Sequence, residues 1–312
     1  ACRAGGDPPA PAPITPADAS AGPRGPCPGS ARVGGFAVAL VAATARHAPY
    51  AQASGGVRDG LDPRDVWQPT AAAGACQLLM IPATTCAATC AAEQICDGGG
   101  HCVAPPTLRS VGTVELDGLG APLALPPLGG NQYYGDLSDR PYPPAAPGAP
   151  VTLAAPGGDY AAFALAARGI EPLAVPAGTG AVAVARGAPV ALAWTPPASA
   201  SAAADAARIT ATLDLAHHGA VAARVACDLP DTGTAEIPAS LVDALLASGV
   251  AGVATLTLER ATVDSTDIAP GCVDLRISAA VELPASVDGV TSCTVDADCP
   301  AAETCRADLT CG

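Results

Sequence analysis

The sequence predicts an all-β protein: two β-sandwich-like domains with two small disulfide-braced Cys modules. Three observations predict it. Apolar and polar residues alternate with a period of two along several short runs, the pattern of strands with one buried face. The spacing Cys, five residues, Cys, five residues, Cys occurs twice. Finally, 34 Gly and 33 Pro among 312 residues punctuate the chain too often for long helices.

Composition narrows the classes further. Half of the residues are hydrophobic, enough for a sizeable core, whereas 15 Lys+Arg against 29 Asp+Glu leave a net charge of -14. A surface of that sign does not track phosphates, so no nucleic acid is expected as a partner. The longest apolar run, residues 33–45 between Arg32 and Arg46, is too short and too glycine-containing to span a bilayer. Thirteen cysteines point to an oxidising compartment, and so to an exported protein, at the outer membrane surface or extracellular. The absence of Lys and the single Asn131 read as codon bias of a GC-rich genome and carry no functional meaning.

Residues 1–32 are dominated by Pro, Ala and Gly without apolar periodicity and are expected to form a flexible tether. Ala1-Cys2 resembles the tail of a bacterial lipoprotein signal, which ends in a small residue before the Cys that becomes acylated. Because an odd number of cysteines leaves one unpaired, Cys2 is the expected lipidation site, and the membrane is met by a lipid anchor only. The alternative is a disulfide from Cys2 to Cys27.

An N-terminal β-domain is expected over 33–167, with a Cys module inserted at 76–105. Runs 33–41 and 50–57 read as a hairpin, 76–81 as a third strand and 113–117 as a fourth, with Val114 and Leu116 on one face. From 122 to 150 a Pro/Gly-rich loop carries Tyr133, Tyr134 and Tyr142 before strands resume at 151–153 and 160–165. These three tyrosines either anchor the loop on the domain or form a binding patch for a protein or glycan, since Tyr offers apolar area with a polar tip.

Over 168–288 a β-sandwich is expected. Val190, Leu192 and Trp194 share one face; Ile209, Ala211, Leu213 and Leu215 share another; Val225 with Cys227, Leu256 with Leu258, and Leu275 with Ile277 continue the pattern as antiparallel strands. Trp194, Leu213, Val225, Leu256 and Leu275 are the expected core. One helix interrupts: Pro238 suits its first position, Leu241, Val242, Leu245 and Leu246 its buried stripe, and Gly249 its stop.

Each module has four cysteines: Cys86, Cys90, Cys96 and Cys102, then Cys293, Cys299, Cys305 and Cys311 within a C-terminal module at 289–312. About twenty residues bury no core, so two crosslinks must hold each one. Three pairings are possible; the interleaved one, first to third and second to fourth, avoids two tiny independent loops. Zinc fits poorly, because its ligand pairs normally sit two to four residues apart. Of the remaining cysteines, Cys227 is expected to bridge to Cys272 and Cys27 to Cys76. Strict alternation sets Cys272 on the face opposite Val273, so that bridge requires Cys272 to lie in the turn at Pro270-Gly271.

No nucleophile elbow, zincin helix, Walker loop or dinucleotide fingerprint occurs, so no catalytic residue, metal ligand or cofactor is expected and the chain does not read as an enzyme. His217-His218 reads as a hairpin turn, and Asp264, Asp267, Asp296 and Asp298 as solvated turn carboxylates rather than calcium ligands. A tethered sandwich with bracing modules suits binding, adhesion or a structural role at a cell surface, with an unknown protein or glycan as partner. The alternatives are a protease-inhibitor-like or toxin-like role for the modules, or an exported enzyme with an unrecognised site.

The segments Gly74 to Leu79, Ser110 to Val114, Leu192 to Pro196, Cys227 to Gly233, Ile237 to Val242 and Cys272 to Leu275 resemble a group of Cys-rich, lipid-anchored secreted proteins of GC-rich delta-proteobacteria of the myxobacterial type. Together they cover most of 33–286. The stretch from Cys293 to Pro300 is similar to small Cys-rich tails in that group and to the Dickkopf-type Cys-rich motif. The resemblance implies an exported location and an immunoglobulin-like sandwich over 168–288; it implies no activity.

Overall fold

The structure, a computed structural model, describes residues 23–81, 86, 89–97, 99–198, 207–217 and 223–312. Cys2, the tether up to residue 22 and His218 lie outside them. The chain first forms β1 (Arg32–Val41), β2 (Tyr50–Arg58), β3 (Gln68–Ala73) and β4 (Cys76–Met80). Short pieces β5 (Ile95–Cys96), β6 (Cys102–Val103) and β7 (Leu108–Arg109) follow. Next come β8 (Val114–Asp117), β9 (Leu123–Leu125), β10 (Tyr133–Asp136), β11 (Pro150–Ala155) and β12 (Phe163–Arg168). The remainder is β13 (Val182–Val184), β14 (Val190–Ala193), β15 (Arg208–His217), β16 (Ala223–Pro230), β17 (Thr234–Ile237), helix α1 (Ala239–Ser248), β18 (Val253–Ile268) and β19 (Gly271–Val287).

The fold is all-β. One large sheet runs in the order β10-β2-β1-β19-β18-β15-β16-β4-β3, with β7 added to β2 and β13 to β19. Its centre is the long hairpin β18–β19, in register from Thr255 opposite Pro284 to Ile268 opposite Gly271. Both strands extend well beyond the expected runs around 254–258 and 273–277. The inner face of β18 reads Leu256, Leu258, Arg260, Thr262, Asp264: the apolar signal stops while the strand continues, because each polar residue finds a partner. Length lets the hairpin serve two packings. Its turn end, with β1, β2 and β10, meets the four-stranded sheet β12-β11-β8-β9; its other end, with β15, β16 and β4, meets the β14–β17 pair and α1.

Two departures from the sequence reading follow from this hairpin. Strands from both sides of the expected 167/168 boundary share the sheet, since β4 pairs with β16 and β1 with β19. The sheet is also mixed rather than purely antiparallel, because β1 and β13 both run parallel to β19. All five expected core residues are buried, and α1 buries Leu241, Val242 and Leu245 before Gly249 stops it at a positive φ of 109°.

The four cysteines outside the modules pair differently from expectation. Cys27 bonds Cys272 and Cys76 bonds Cys227. Register is the reason: Cys76 lies directly opposite Cys227 across β4 and β16, while the parallel β1–β19 pairing carries the residues ahead of β1 to Cys272. Cys272 is buried inside β19 rather than in the preceding turn. Within the modules, the structure joins Cys86 to Cys96, Cys90 to Cys102, Cys293 to Cys305 and Cys299 to Cys311. The sulfurs that cluster in each module are thus disulfide sulfurs, not thiolates a metal needs. The second module also docks on the sandwich, where Gly252 N–H donates to the Asp308 carbonyl at 2.6 Å.

The last ten residues of the expected 1–32 tether are correspondingly fixed. Besides the Cys27 bridge, Gly25 N–H donates to the Val263 carbonyl at 3.0 Å, taking the edge of β18 where β15 ends.

Candidate binding cleft on the outer sheet face

In β18 and β19 the residues alternate between the core and the opposite, outer face of the sheet. The outer residues include Glu259, Ala261 and Val263 on β18, Arg276 and Ser278 on β19, and Arg208 and Thr210 on β15. Small side chains at Ala261 and Thr210 leave a hollow of about 410 Å³. The docked segment Pro23 to Pro26 forms one wall, and Arg208 with Asp228 forms the other.

Three arginines reach this hollow, each held by a carboxylate. Arg24 donates from Nε and its backbone N to Asp264 Oδ1 at 2.9 and 3.0 Å, and from Nη2 to Oδ2 at 3.1 Å. Arg208 donates from Nε to Asp228 Oδ1 at 2.5 Å and from Nη2 to the Asp228 carbonyl at 3.0 Å. Arg276 donates from Nη1 to Glu259 Oε2 at 2.9 Å. Among the described residues, Nη1 of Arg24, Nη1 of Arg208 and both Nε and Nη2 of Arg276 keep no hydrogen-bonded protein acceptor. Burial opposes the charge on Asp264, yet hydrogen bonds from Arg24 and from Ala166 N–H hold its carboxyl below the usual range. That carboxylate is buried, contrary to the solvated turn position expected for it; it braces the cleft wall.

A second hollow of about 430 Å³ lies on the same face over β1, β2 and β10, lined by Arg32, Gly35, Ser54, Gly56 and Tyr134 among others. Glycine is required at position 35. A β-carbon there would overlap the Asp274 carboxylate, which is buried and takes a bidentate pair from Arg32 at 2.9 and 3.0 Å. One rung connects the two hollows: Val263, Arg276, Ala37, Ser54 and Tyr134 are consecutive register partners across five strands.

The three tyrosines do not make one patch. Tyr133 is 2% exposed, meets Phe36 edge-on with ring centroids 5.4 Å apart, accepts from Val111 N–H at 2.9 Å and donates to the Gly112 carbonyl at 3.1 Å. Its neighbour Tyr134 is 52% exposed, as alternation along β10 demands. Tyr142 is half-buried against the core, and burial pushes its phenol up. Only Tyr134 belongs to the outer face. The other sites weighed in the sequence are structural: Asp298 accepts from Thr294 N–H and Val295 N–H, and Asp296 accepts from Cys305 N–H. The arginine cleft itself escaped sequence reading, because positions 24, 208 and 276 come together only through the strand order.

No protein-family model matches the chain, and no curated protein matches it. Among solved structures, the crystal structure of chicken CNTN1 FN1-FN3 domains aligns over 74% of this chain and 71% of that one, at 7% identity and a TM-score of 0.18. A likeness that slight carries no inference.

Proposed function

We propose that this is an exported binding protein that works at a cell surface, bacterial by the sequence reading, and holds its partner on the outer sheet face. The observation that carries the reading is the hollow lined by Arg24, Arg208 and Arg276, whose side chains are oriented by carboxylates yet keep N–H groups without a protein acceptor among the described residues. Six disulfides, two of them joining segments 151 and 245 residues apart, suit a protein that must keep that face rigid outside the cell. An acyl chain at Cys2 belongs to the same proposal: the bridges account for the other twelve cysteines, and Cys2 is the thirteenth. In this reading the protein has no catalytic task; adhesion or scaffolding of surface polymer is what the face performs.

The test is a display of purified cell-surface polysaccharides and proteins probed with the wild-type chain and with the Arg208→Gln/Arg276→Gln variant. A ligand retained by the wild type and lost by the variant supports the reading. Equal retention by both, with the fold intact by circular dichroism, overturns it. For the anchor, expression behind a lipoprotein signal should bring the wild type into the detergent phase and leave Cys2→Ser in the aqueous phase.

A further inference from the structure

We propose that the cleft recognises the carboxylates of an acidic polysaccharide of the uronate class; this rests on the binding role given above and names its ligand. Charge distribution is the first argument. The chain carries nearly two acids for every base, whereas around this hollow the balance is even, with three guanidinium groups each paired to one carboxylate, Asp264, Asp228 or Glu259. Within an acidic molecule, that is a place where an anionic group meets donors without net repulsion.

Donor geometry is the second. Arg24, Arg208 and Arg276 all line one hollow, each guanidinium is already fixed by Asp264, Asp228 or Glu259, and each keeps an N–H group without a protein acceptor among the described residues. Ligand binding therefore freezes little further side-chain motion, and a carboxylate meets forked donors rather than a diffuse positive field. Because the arginines are paired, the site does not bind any polyanion by charge alone; the ligand must also fit the floor of Thr210, Ala261 and Val263, a small apolar surface suited to the face of a sugar ring.

The third argument selects a glycan over an acidic peptide. Extended peptides are captured by unpaired strand edges, whose backbone groups complete a ladder. Here β18 is paired with β19 on one side and with β15 as far as Ala261 on the other, and the Val263 carbonyl beyond β15 is already taken by Gly25 N–H, so the floor offers side-chain groups only. From the cleft the face continues along the rung Arg276, Ala37, Ser54, Tyr134, and four strand spacings of ~4.8 Å make this a path of ~19 Å from Val263. Small residues pave it and the exposed Tyr134 ring ends it, as a stacking surface for a further sugar.

The experiment is calorimetric titration of the full chain with oligogalacturonate, the same oligomer methyl-esterified, a neutral glucan oligomer of equal length, and free galacturonic acid. Oligogalacturonate should bind, with affinity at least tenfold above its methyl ester and the neutral oligomer, and with weakening as salt rises. Arg276→Gln or Arg208→Gln should lower that affinity tenfold or more; Arg208 is half-exposed and its variant should keep the wild-type melting temperature, while the fold of the Arg276 variant, whose side chain is largely covered, is verified by circular dichroism. Tyr134→Ala should weaken the oligomer several-fold while leaving free galacturonic acid unaffected, which separates a polymer site from a small-anion site. Equal binding of ester and acid, or unchanged affinity in both arginine variants, overturns the proposal. If instead a neutral glycan, an acidic peptide or a protein is retained and lost with the arginine variants, the uronate assignment fails and the binding role stands. If no ligand is sensitive to the arginines, both fail.

Discussion

Asp264 accepts the backbone N–H of Ala166 at 2.8 Å across the interface between two sheets. Two residues earlier on β18, Thr262 accepts the N–H of Arg168 at 3.1 Å. The period of two along β18 thus matches the period of two along β12, and side chains of one sheet complete the open edge of the other. An edge strand that would otherwise template intermolecular pairing is closed in this way.

Asp264→Ala leaves the Ala166 N–H without this acceptor and releases Arg24. The expected loss is about 2–4 kcal/mol in chemical denaturation, from a stranded buried donor and a broken charge pair. Arg24→Ala takes the guanidinium from the buried Asp264 carboxylate but leaves it two backbone N–H donors, at residue 24 and at Ala166, and should cost less, about 1–2 kcal/mol. Equal losses in the two variants would contradict the ladder role.

Acid should destabilise the fold in a defined window. Asp59 accepts from Thr107 N–H and Oγ1 and from Arg109, and these bonds, led by the Thr107 backbone, lower its carboxyl to about 2. Asp264 is likewise depressed. A carboxyl lowered by folding contributes stability above its unfolded pKa, near 4, and that contribution drains away as pH falls through the folded value. Melting temperature should therefore drop between pH 4 and 2, and Asp59→Asn should flatten part of that slope; carboxyl chemical shifts report the Asp59 titration directly.

Arg260 is buried with Asp231, and all five of its N–H donors are used: on both Asp231 oxygens and on the carbonyls of Glu171, Pro172 and Thr195. Trp194 Nε1 donates to the same carboxylate at 2.7 Å. Asp231→Ala strands a buried cation and should cost about 3–5 kcal/mol, more than the Arg260→Met/Asp231→Leu pair, which removes both charges together. Denaturation midpoints of the two proteins decide the order.

Non-reducing peptide mapping should recover Cys27 with Cys272 and Cys76 with Cys227. Removing either bridge by paired serine substitution should lower stability by up to about 5 kcal/mol in the chain-entropy account of long loops. A peptide joining Cys27 to Cys76 would refute the parallel placement of β1 beside β19.

What could be read in the sequence was local. Alternation around Leu213, Val225 and Leu275, the helix between Pro238 and Gly249, and the repeated cysteine spacing all announce structure from a few neighbouring residues. Tyr133 and Tyr134 were legible in principle, because adjacent strand residues face opposite ways, but Gly and Pro around them read as loop. What depended on long-range register was not legible. Nothing near Cys27 names Cys272, and nothing near Arg276 names Arg24 or Arg208. Arg260, Thr262 and Asp264 hid the length of β18, since polar residues facing a core look like the end of a strand until their partners are known.

The Cys27–Cys272 bond also decides how the molecule carries tension. A pull between the N-terminal segment and the C-terminal module enters at Cys27 and crosses the covalent bond to Cys272, so residues 28–271 hang as an unloaded loop beside the force path. The load then runs lengthwise along β19, clamped by β1, β13 and β18, so failure requires shearing that strand out whole rather than unzipping it bond by bond. The floor of the cleft and its Arg208 and Arg276 sides rest on the shielded part and on the clamped strand, whereas the wall from Pro23 to Pro26 precedes Cys27 and takes the load directly, so tension acts on the cleft through that one wall.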